Sequence, residues 1–464
     1  MSQMTEQQIS AVLAQVEQCL GEERPMDAVA GLQAILAAHP NHPGALCGIG
    51  RISIQLGDNN AALQALDAAI GQLPDFLEAR NARGVAYQNL DRLADAEADF
   101  RAVCDAVPEN PGALLNLGSL LAAKGDFAAA EPLFDKVLEI SPGNPTAGYN
   151  LGLLHLVTGR WREGWQGFDL RASAENVGLA AGRSSKPRWM GETSPSATLL
   201  FQAEQGLGDC IQFVRYARLA RQRVGKLIVE APPPLMDLFT QVDGVDQVTA
   251  RGELLPDHDL QISVMSLPGV FETDADTIPW DGPYIQAAPE RVAYWRDRLG
   301  IGGRVRHVGL VWAGNPNHKR DQQRSMPLEV LAPVFDVPDV VVHSLQIGPA
   351  ATQTADVPFG GRIRPLFRNA RPFGEVAAIL SALDLMIGVD TALVHLAGAM
   401  ARPVWTMITH VPDWRWMLER ADTPWYPTMR LFRQPAAGDW GSVASDVAGA
   451  LATFSPEQEP RPQT

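Results

Sequence analysis

The chain has 464 residues, 46% of them hydrophobic and 20% charged, with a formal net charge of −15. That length exceeds one ordinary domain, and the composition is that of a globular protein able to build packed cores. The acidic balance argues against nucleic acid as the main partner, because binding phosphate backbones needs a basic face.

The N-terminal third is periodic. Pro40, Pro74, Pro108 and Pro142 recur every 34 residues, and Gly50, Gly84, Gly118 and Gly152 keep the same step. So do Ala62, Ala96 and Ala130, and the large apolar column Leu66, Phe100, Phe134 and Phe168. Gly57, Gly125 and Gly159 form a further column, with Asp91 in the missing slot. Small residues let two helices approach, the large column fills the gap beside them, and proline stops the second helix. The pattern resembles the tetratricopeptide repeat and covers residues 6–172 as about five helix pairs. The first pair departs from it, with Val16 and Glu23 in the glycine slots, as expected of a terminal cap. In the last, Trp161 and Trp165 are expected to form an apolar seam against the next domain, the alternative being a ligand site. Such a resemblance implies a concave surface for a protein or peptide, or a scaffold without one.

Residues 173–196, which include Arg183-Ser-Ser-Lys-Pro-Arg-Trp189, read as a polar linker. From there the pattern predicts two α/β lobes, 197–300 and 305–452. The first has short apolar runs at 197–202, 226–230 and 259–263, with a helix after the glycine turn 206–208 marked by Ile211, Val214 and Leu219. The second has runs at 306–314, 340–345, 383–388, 403–408 and 429–432, the alternation of a doubly wound sheet. The tail 455–464, rich in Pro, Glu and Gln, is expected to be disordered.

Three loops after strands could hold chemistry. Gly206-Leu-Gly208-Asp209 opens a helix, where glycine allows close backbone approach and Asp209 would face the cleft or simply cap the helix. The loop with Gly314, Lys319, Arg320 and Arg324 has the basic groups a diphosphate needs, or is a solvated loop. Gly388-Val-Asp390-Thr391 ends a strand and starts a helix, so Asp390 or Thr391 could cap amides that otherwise make an anion site, with His395 one turn further on. Residues 410–433 hold Trp414, Trp416, Trp425 and Tyr426 after a late strand, where rings and arginines could stack on a base or wall the cleft, at most one being expected to touch ligand. Asp274-Ala-Asp276 has a metal–nucleotide spacing in what reads as an acidic loop.

In this order, strand–Gly-Leu-Gly-Asp–helix and then Val-Asp-Thr-x-x-x-His-Leu-Ala-x-Ala-x-x-x-Pro, the residues resemble the heptosyltransferase-like glycosyltransferases of family 9. The resemblance spans about residues 196–450 and implies a GT-B fold of two Rossmann-like lobes. It implies Asp209 as general base, with Asp390, Thr391, Ala392 and His395 at the donor diphosphate and Lys319 and Arg324 as phosphate partners. Gly206, Gly208 and Gly314 are then the glycines of the cleft, and Ala392 stands where the family usually has glycine. It implies a nucleotide-sugar substrate, no metal and no further cofactor. Repeats ahead of such a pair are also similar in layout to the O-linked N-acetylglucosamine transferases, whose repeats recruit protein acceptors.

Cys19, Cys47, Cys104 and Cys210 lack disulfide or metal spacing, no run has the length of a membrane span, and no signal peptide is evident at the N-terminus. The expected location is cytoplasmic. The competing functional readings are a non-catalytic adaptor with a degenerate GT-B domain and, more remotely, a nucleotide-dependent epimerase or dehydrogenase, which would need a fuller glycine fingerprint.

Overall fold

The computed structural model describes residues 4–22, 24–174, 183–318, 320–366, 369 and 372–456. Glu23, Lys319 and residues 457–464 of the expected disordered tail therefore lie outside the described residues. The chain divides into two compact units, Met1–Leu151 and Gly152–Thr464.

The repeat columns fold as five antiparallel helix pairs: α1 (Glu6–Gly21) with α2 (Pro25–Ala38), α3 (Pro43–Gln55) with α4 (Asn59–Gln72), α5 (Leu77–Asn89) with α6 (Leu93–Ala106), α7 (Pro111–Ala123) with α8 (Phe127–Ile140), and α9 (Pro145–Val157) with α10 (Trp161–Phe168). Asn110 and Asn144 side chains accept from Ala113 and Ala147 amides at 3.0 and 2.9 Å, capping helices that begin with proline. The glycine column packs straight onto the large apolar column. A Cβ on Gly50, Gly84 or Gly118 would lie 2.5, 2.5 or 2.8 Å from Leu66, Phe100 or Phe134. Gly57, Gly125 and Gly159 turn the chain at φ 82°, 85° and 88°, and Asp91 adopts the same left-handed backbone at φ 61°. A groove of about 760 Å³ runs along α1, α3 and α5, with Arg51 across it donating to Glu17 and Glu78 at 2.5 and 2.7 Å.

Among the described residues of the second unit, the strands of both sheets pair in parallel, with one isolated antiparallel bridge between Asp422 and Arg430. The first sheet has the order β3 (Gln247–Ala250), β2 (Val224–Ala231), β1 (Ser194–Gln202), β4 (Leu260–Ser263). The second has the order β10 (Met429–Arg433), β9 (Val404–Ile408), β8 (Leu385–Val389), β5 (Arg306–Val311), β6 (Val340–Ser344), β7 (Arg364–Pro365). Chain order reverses between β1 and β4 in one sheet and between β5 and β8 in the other. Those are the switch points outside which doubly wound sheets bind ligands. β8 and β9 are buried throughout, which explains their unbroken apolar sequence. Val308, Leu310, Ile387, Val389 and Met407 join Trp312, Trp405 and Val447 in the second core.

Three details depart from the sequence reading. Residues 175–182 of the expected linker lie outside the described residues, and its later part is tied to the first sheet: Arg183 N donates to Gln202 Oε1, Trp189 is fully buried with its amide donating to Gln261 O, and Gln261 N donates to Pro187 O. The helix after the glycine turn is broken into α11 (Leu207–Phe213), a 3-10 turn and a short helix Ala217–Arg221. Helix α10 belongs to the second unit by packing although it keeps the repeat period. Trp161 stacks on Trp425 at 5.3 Å and Trp165 meets Trp414 edge-on at 5.2 Å, the seam expected of these rings.

Candidate active site

After β1 the chain passes Glu204, whose carboxylate takes a two-pronged bond from the buried Arg171 guanidinium at 2.6 and 2.7 Å. Gln205 is left-handed, and the Gly206 amide then donates to Asp209 Oδ2 at 2.8 Å, fixing the carboxylate at the head of α11. Gly208 has a reason to be glycine. A Cβ there would sit 2.8 Å from His395 Cδ2, so the first glycine motif presses directly on the helix that holds the second.

That helix, Ala392–Ala399, follows β8 through Asp390 and Thr391. Neither residue caps it as the sequence suggested. Thr391 occupies the cap position without a side-chain cap bond, and its Oγ1 is buried without a hydrogen-bond partner among the described residues. Ala392 is the first residue of the helix, so its amide belongs to the uncapped first turn. The Asp390 carboxylate is turned to other work: Oδ2 accepts from Trp416 Nε1 at 2.8 Å, and Oδ1 lies 3.5 Å from His395 Nε2. Burial opposes its charge, but bonds from His395 and Trp416 and the nearby Arg415 outweigh that and hold the carboxyl well below the usual carboxylate range. His395 is buried, with Nδ1 2.9 Å from Tyr426 Oη. Burial raises the Tyr426 pKa, so the phenol keeps its proton and can donate to Nδ1 while Nε2–H faces Asp390. Gly398 makes room for this, since a Cβ there would meet the Tyr426 ring at 2.5 Å.

The loop after β5 is pinned by buried Gln346, whose Oε1 accepts from the Trp312 and Ala313 amides at 3.1 and 2.9 Å. Gly314 donates to Ser325 Oγ at 2.9 Å, and a Cβ on it would strike the Arg324 guanidinium. Arg324 thereby reaches across to donate to the Asp390 carbonyl at 3.2 Å, placing a cation beside the open helix start.

The loop after β9 supplies Arg415, which the sequence does not single out from the other arginines of residues 410–433. Arg415 is buried and donates from Nε to Gln212 Oε1 at 2.6 Å, from Nη1 to Asp413 Oδ1 at 2.9 Å, and from Nη2 to Asp209 Oδ1. Its guanidinium lies 4.4 Å from the Trp414 ring centre. Burial opposes its charge, and the Asp413 and Asp209 carboxylates reverse that and keep it cationic. The only sequence signal was an arginine between two tryptophans in a loop after a strand. Trp414, Trp416, Trp425 and Tyr426 are all buried, with Trp416 and Tyr426 tied to Asp390 and His395. Asp274 spends its carboxylate on the Asp276 and Thr277 amides of its own turn. Among the described residues no cluster of three or more His, Cys, Asp or Glu could hold a metal, and no helix is long and apolar enough to cross a membrane.

These contacts join Asp209, the head of the 392–399 helix, Arg324 and Arg415, and leave Lys319 outside the described residues. Such a set can hold an anion at one wall and accept a proton at the other.

Comparison with known proteins agrees in outline. Residues 20–85 and 81–145 match tetratricopeptide-repeat family models, and residues 372–425 match that of glycosyltransferase family 9 (heptosyltransferase). The last segment contains Asp390, His395, Arg415 and Trp416, but neither Asp209 nor Arg324. The chain is 26% identical over 454 residues to Protein FlbA of Caulobacter vibrioides, spanning 93% of this chain and 71% of FlbA. It is 30% identical over 145 residues to cellulose synthase operon protein C of Pseudomonas fluorescens, 30% of this chain and 11% of that protein. The crystal structure of a thermophilic repeat protein from Thermus thermophilus, TTC0263, is similar over 37% of this chain and 91% of that one, with 22% identity and a TM-score of 0.33. The chain joins tetratricopeptide repeats to a glycosyltransferase-like α/β region that matches family 9 across residues 372–425.

Proposed function

We propose that this chain is a cytoplasmic glycosyltransferase that moves a sugar from a nucleotide-sugar donor to an acceptor hydroxyl on a protein held by the repeats. Asp209 takes the proton of the acceptor hydroxyl as the acceptor oxygen bonds to the anomeric carbon of the donor. The bond from that carbon to the diphosphate breaks, and its electron pair leaves on the phosphate oxygen. Amides of the 392–399 helix and Arg324 meet the charge that develops there, and Lys319 is assigned the same task. Asp390 and Tyr426 orient His395 against the donor. These groups supply the positive charge themselves, so transfer is expected to persist in a metal chelator.

The observation that supports this reading most is the meeting of the two motifs, since Gly208 at the head of α11 rests on His395 of the 392–399 helix. The groove along α1, α3 and α5, crossed by the Glu17–Arg51–Glu78 ion pairs, supports a peptide partner on the array.

Two measurements test it. A thermal-shift screen with nucleoside diphosphates and their sugars is expected to give a shift with at least one. No shift with any of them leaves the adaptor reading instead. Where a glycosylated partner is found by mass spectrometry after co-expression, Asp209→Ala is expected to slow single-turnover transfer by about 10²–10⁴-fold, and a loss under about tenfold removes Asp209 as the base.

A further inference from the structure

Arg415 sits where two demands meet. The guanidinium donates to Gln212, Asp413 and Asp209, so it answers two carboxylates directly, and Asp390 is close enough to act on its charge. Asp209 in turn has both oxygens engaged, Oδ1 by Arg415 and Oδ2 by the Gly206 amide. A general base must present an oxygen to the acceptor hydroxyl, and here each Asp209 oxygen already holds a donor, one of them a cation. The structure leaves two buried donors without partners among the described residues, Gln212 Nε2 on the side chain that takes the Arg415 Nε bond and Thr391 Oγ1 at the head of the 392–399 helix. Buried donors of this kind call for an acceptor, and the oxygens of a diphosphate supply several. The loop that holds Arg415 is tied to the same wall, because Trp416 donates to Asp390 at the start of the 392–399 helix.

Resting on the glycosyltransferase reading, we propose that Arg415 has two alternative partners. With the donor site empty it is the counter-ion of Asp209. When a nucleotide sugar binds, its guanidinium turns to the diphosphate, and Asp209 is released to act on the acceptor. A diphosphate matches the planar fork of arginine at least as well as a carboxylate does, so the exchange replaces one charge-assisted pair by another. The exchange makes donor binding the event that arms the base, and it favours donor binding before reaction with the acceptor. Until then an acceptor meets a carboxylate already in use.

The consequence is a coupling between Asp209 and donor affinity. As long as Asp209 competes for Arg415, it weakens diphosphate binding, so neutralising Asp209 strengthens it. Site couplings of this kind span roughly 5- to 150-fold in affinity. The experiment is calorimetric titration of the full chain with UDP, GDP, ADP and CDP, comparing the wild type with Asp209→Asn, Arg415→Gln and the double variant. Asp209→Asn is expected to bind the preferred nucleotide at least about fivefold tighter, Arg415→Gln to bind it more weakly, and the tightening to vanish in the double variant. Unchanged or weaker binding by Asp209→Asn overturns the inference and leaves the glycosyltransferase reading intact. Tightening that persists without Arg415 also overturns it, since that is simple relief of charge repulsion. If no nucleoside diphosphate binds any of the proteins, the donor reading falls and this inference with it. Should Arg415→Gln fail to fold, Arg415→Lys takes its place in the cycle: lysine keeps the charge but loses the fork, so Asp209→Asn is expected to tighten binding less in that background, and equal tightening overturns the inference.

Discussion

Gly84 and Asp209 each meet a close neighbour that constrains them, yet these neighbours come from very different distances along the chain. The Phe100 ring that forbids a side chain at Gly84 lies in the next helix of the same repeat. The Arg415 guanidinium that holds Asp209 is 206 residues away. The repeat unit is an assembly of local agreements, each pair of helices satisfying its own spacing. The α/β unit places its reactive groups by agreements across two sheets, and no short window of sequence contains them. A repeat can therefore vary at one position and keep its neighbours, whereas a change at the cleft is felt on both walls.

Helix α10 is where that contrast is most easily broken, because it keeps the repeat period but packs in the second unit. Trp165 is buried, donates from Nε1 to Thr273 O at 2.6 Å, and packs on Trp414 beside Arg415. Trp165→Ala is expected to cost about 3–5 kcal/mol, the range for a buried large aromatic. Hydrogen exchange followed by mass spectrometry locates the loss, which is expected in 207–216 and 413–426. Loss of protection confined to residues 4–151 would return α10 to the array.

The second expected effect arises from a buried pair in the second sheet. His307 Nδ1 and His343 Nε2 are 3.0 Å apart on β5 and β6, with ring planes stacked. Burial, the neighbouring His307 and Arg364 push the His343 pKa down to about 4. Burial also lowers that of His307, against the pull of Asp384 and helped by Arg364. The sign follows from the folded value lying below the unfolded one. Above about pH 6.5 both states leave His343 neutral and its stability is complete. As pH falls from there toward 4 the unfolded chain takes up the proton first, and roughly 3 kcal/mol is lost before the effect levels off. Urea unfolding at pH 7.5 and 4.5 measures it, and His343→Asn is expected to remove most of the difference between the two.

These two cases show what the sequence could and could not disclose. The 34-residue columns and the apolar strands were readable because local spacing and burial alone produce them. The edge strands β3 and β7 were not seen, since both are short and β7 is exposed, so neither has an apolar run. Asp209, Asp390 and His395 were legible as motif positions, and Arg324 as a basic residue after a strand. Their partners were not: Arg415 on Asp209, Trp416 on Asp390 and Tyr426 on His395 come from another loop, and only folding brings it there. The helix cap was misread for the same reason, because Trp416 and His395 claim the Asp390 carboxylate that would otherwise cap.

Gly208 tests whether the two motifs really bear on each other. Gly208→Ala adds a methyl 2.8 Å from His395 Cδ2, and forcing it in is expected to cost about 1–3 kcal/mol. If the clash is with His395, then Gly208→Ala combined with His395→Ala is less harmful than the sum of the two, measured as a double-mutant cycle in urea. Strict additivity would mean that α11 and the 392–399 helix do not press on one another.

The smallest effect belongs to the array, as its local construction requires. Asp91 fills the slot held by Gly57, Gly125 and Gly159, and it takes the same positive φ that they do. A side chain in that region costs about 1–2 kcal/mol, with aspartate among the residues that tolerate it best. Replacing it by glycine removes this strain but also loosens the unfolded chain, which offsets about 0.4–1 kcal/mol of the gain. Asp91→Gly is therefore expected to stabilise by less than about 1 kcal/mol, and Asp91→Ala, which keeps the strain without the short polar side chain, to destabilise. Thermal melting of both variants reads the sign. If glycine lowered the melting temperature, the turn would depend on the aspartate side chain itself, and this repeat would have replaced the backbone solution of its neighbours with a different one.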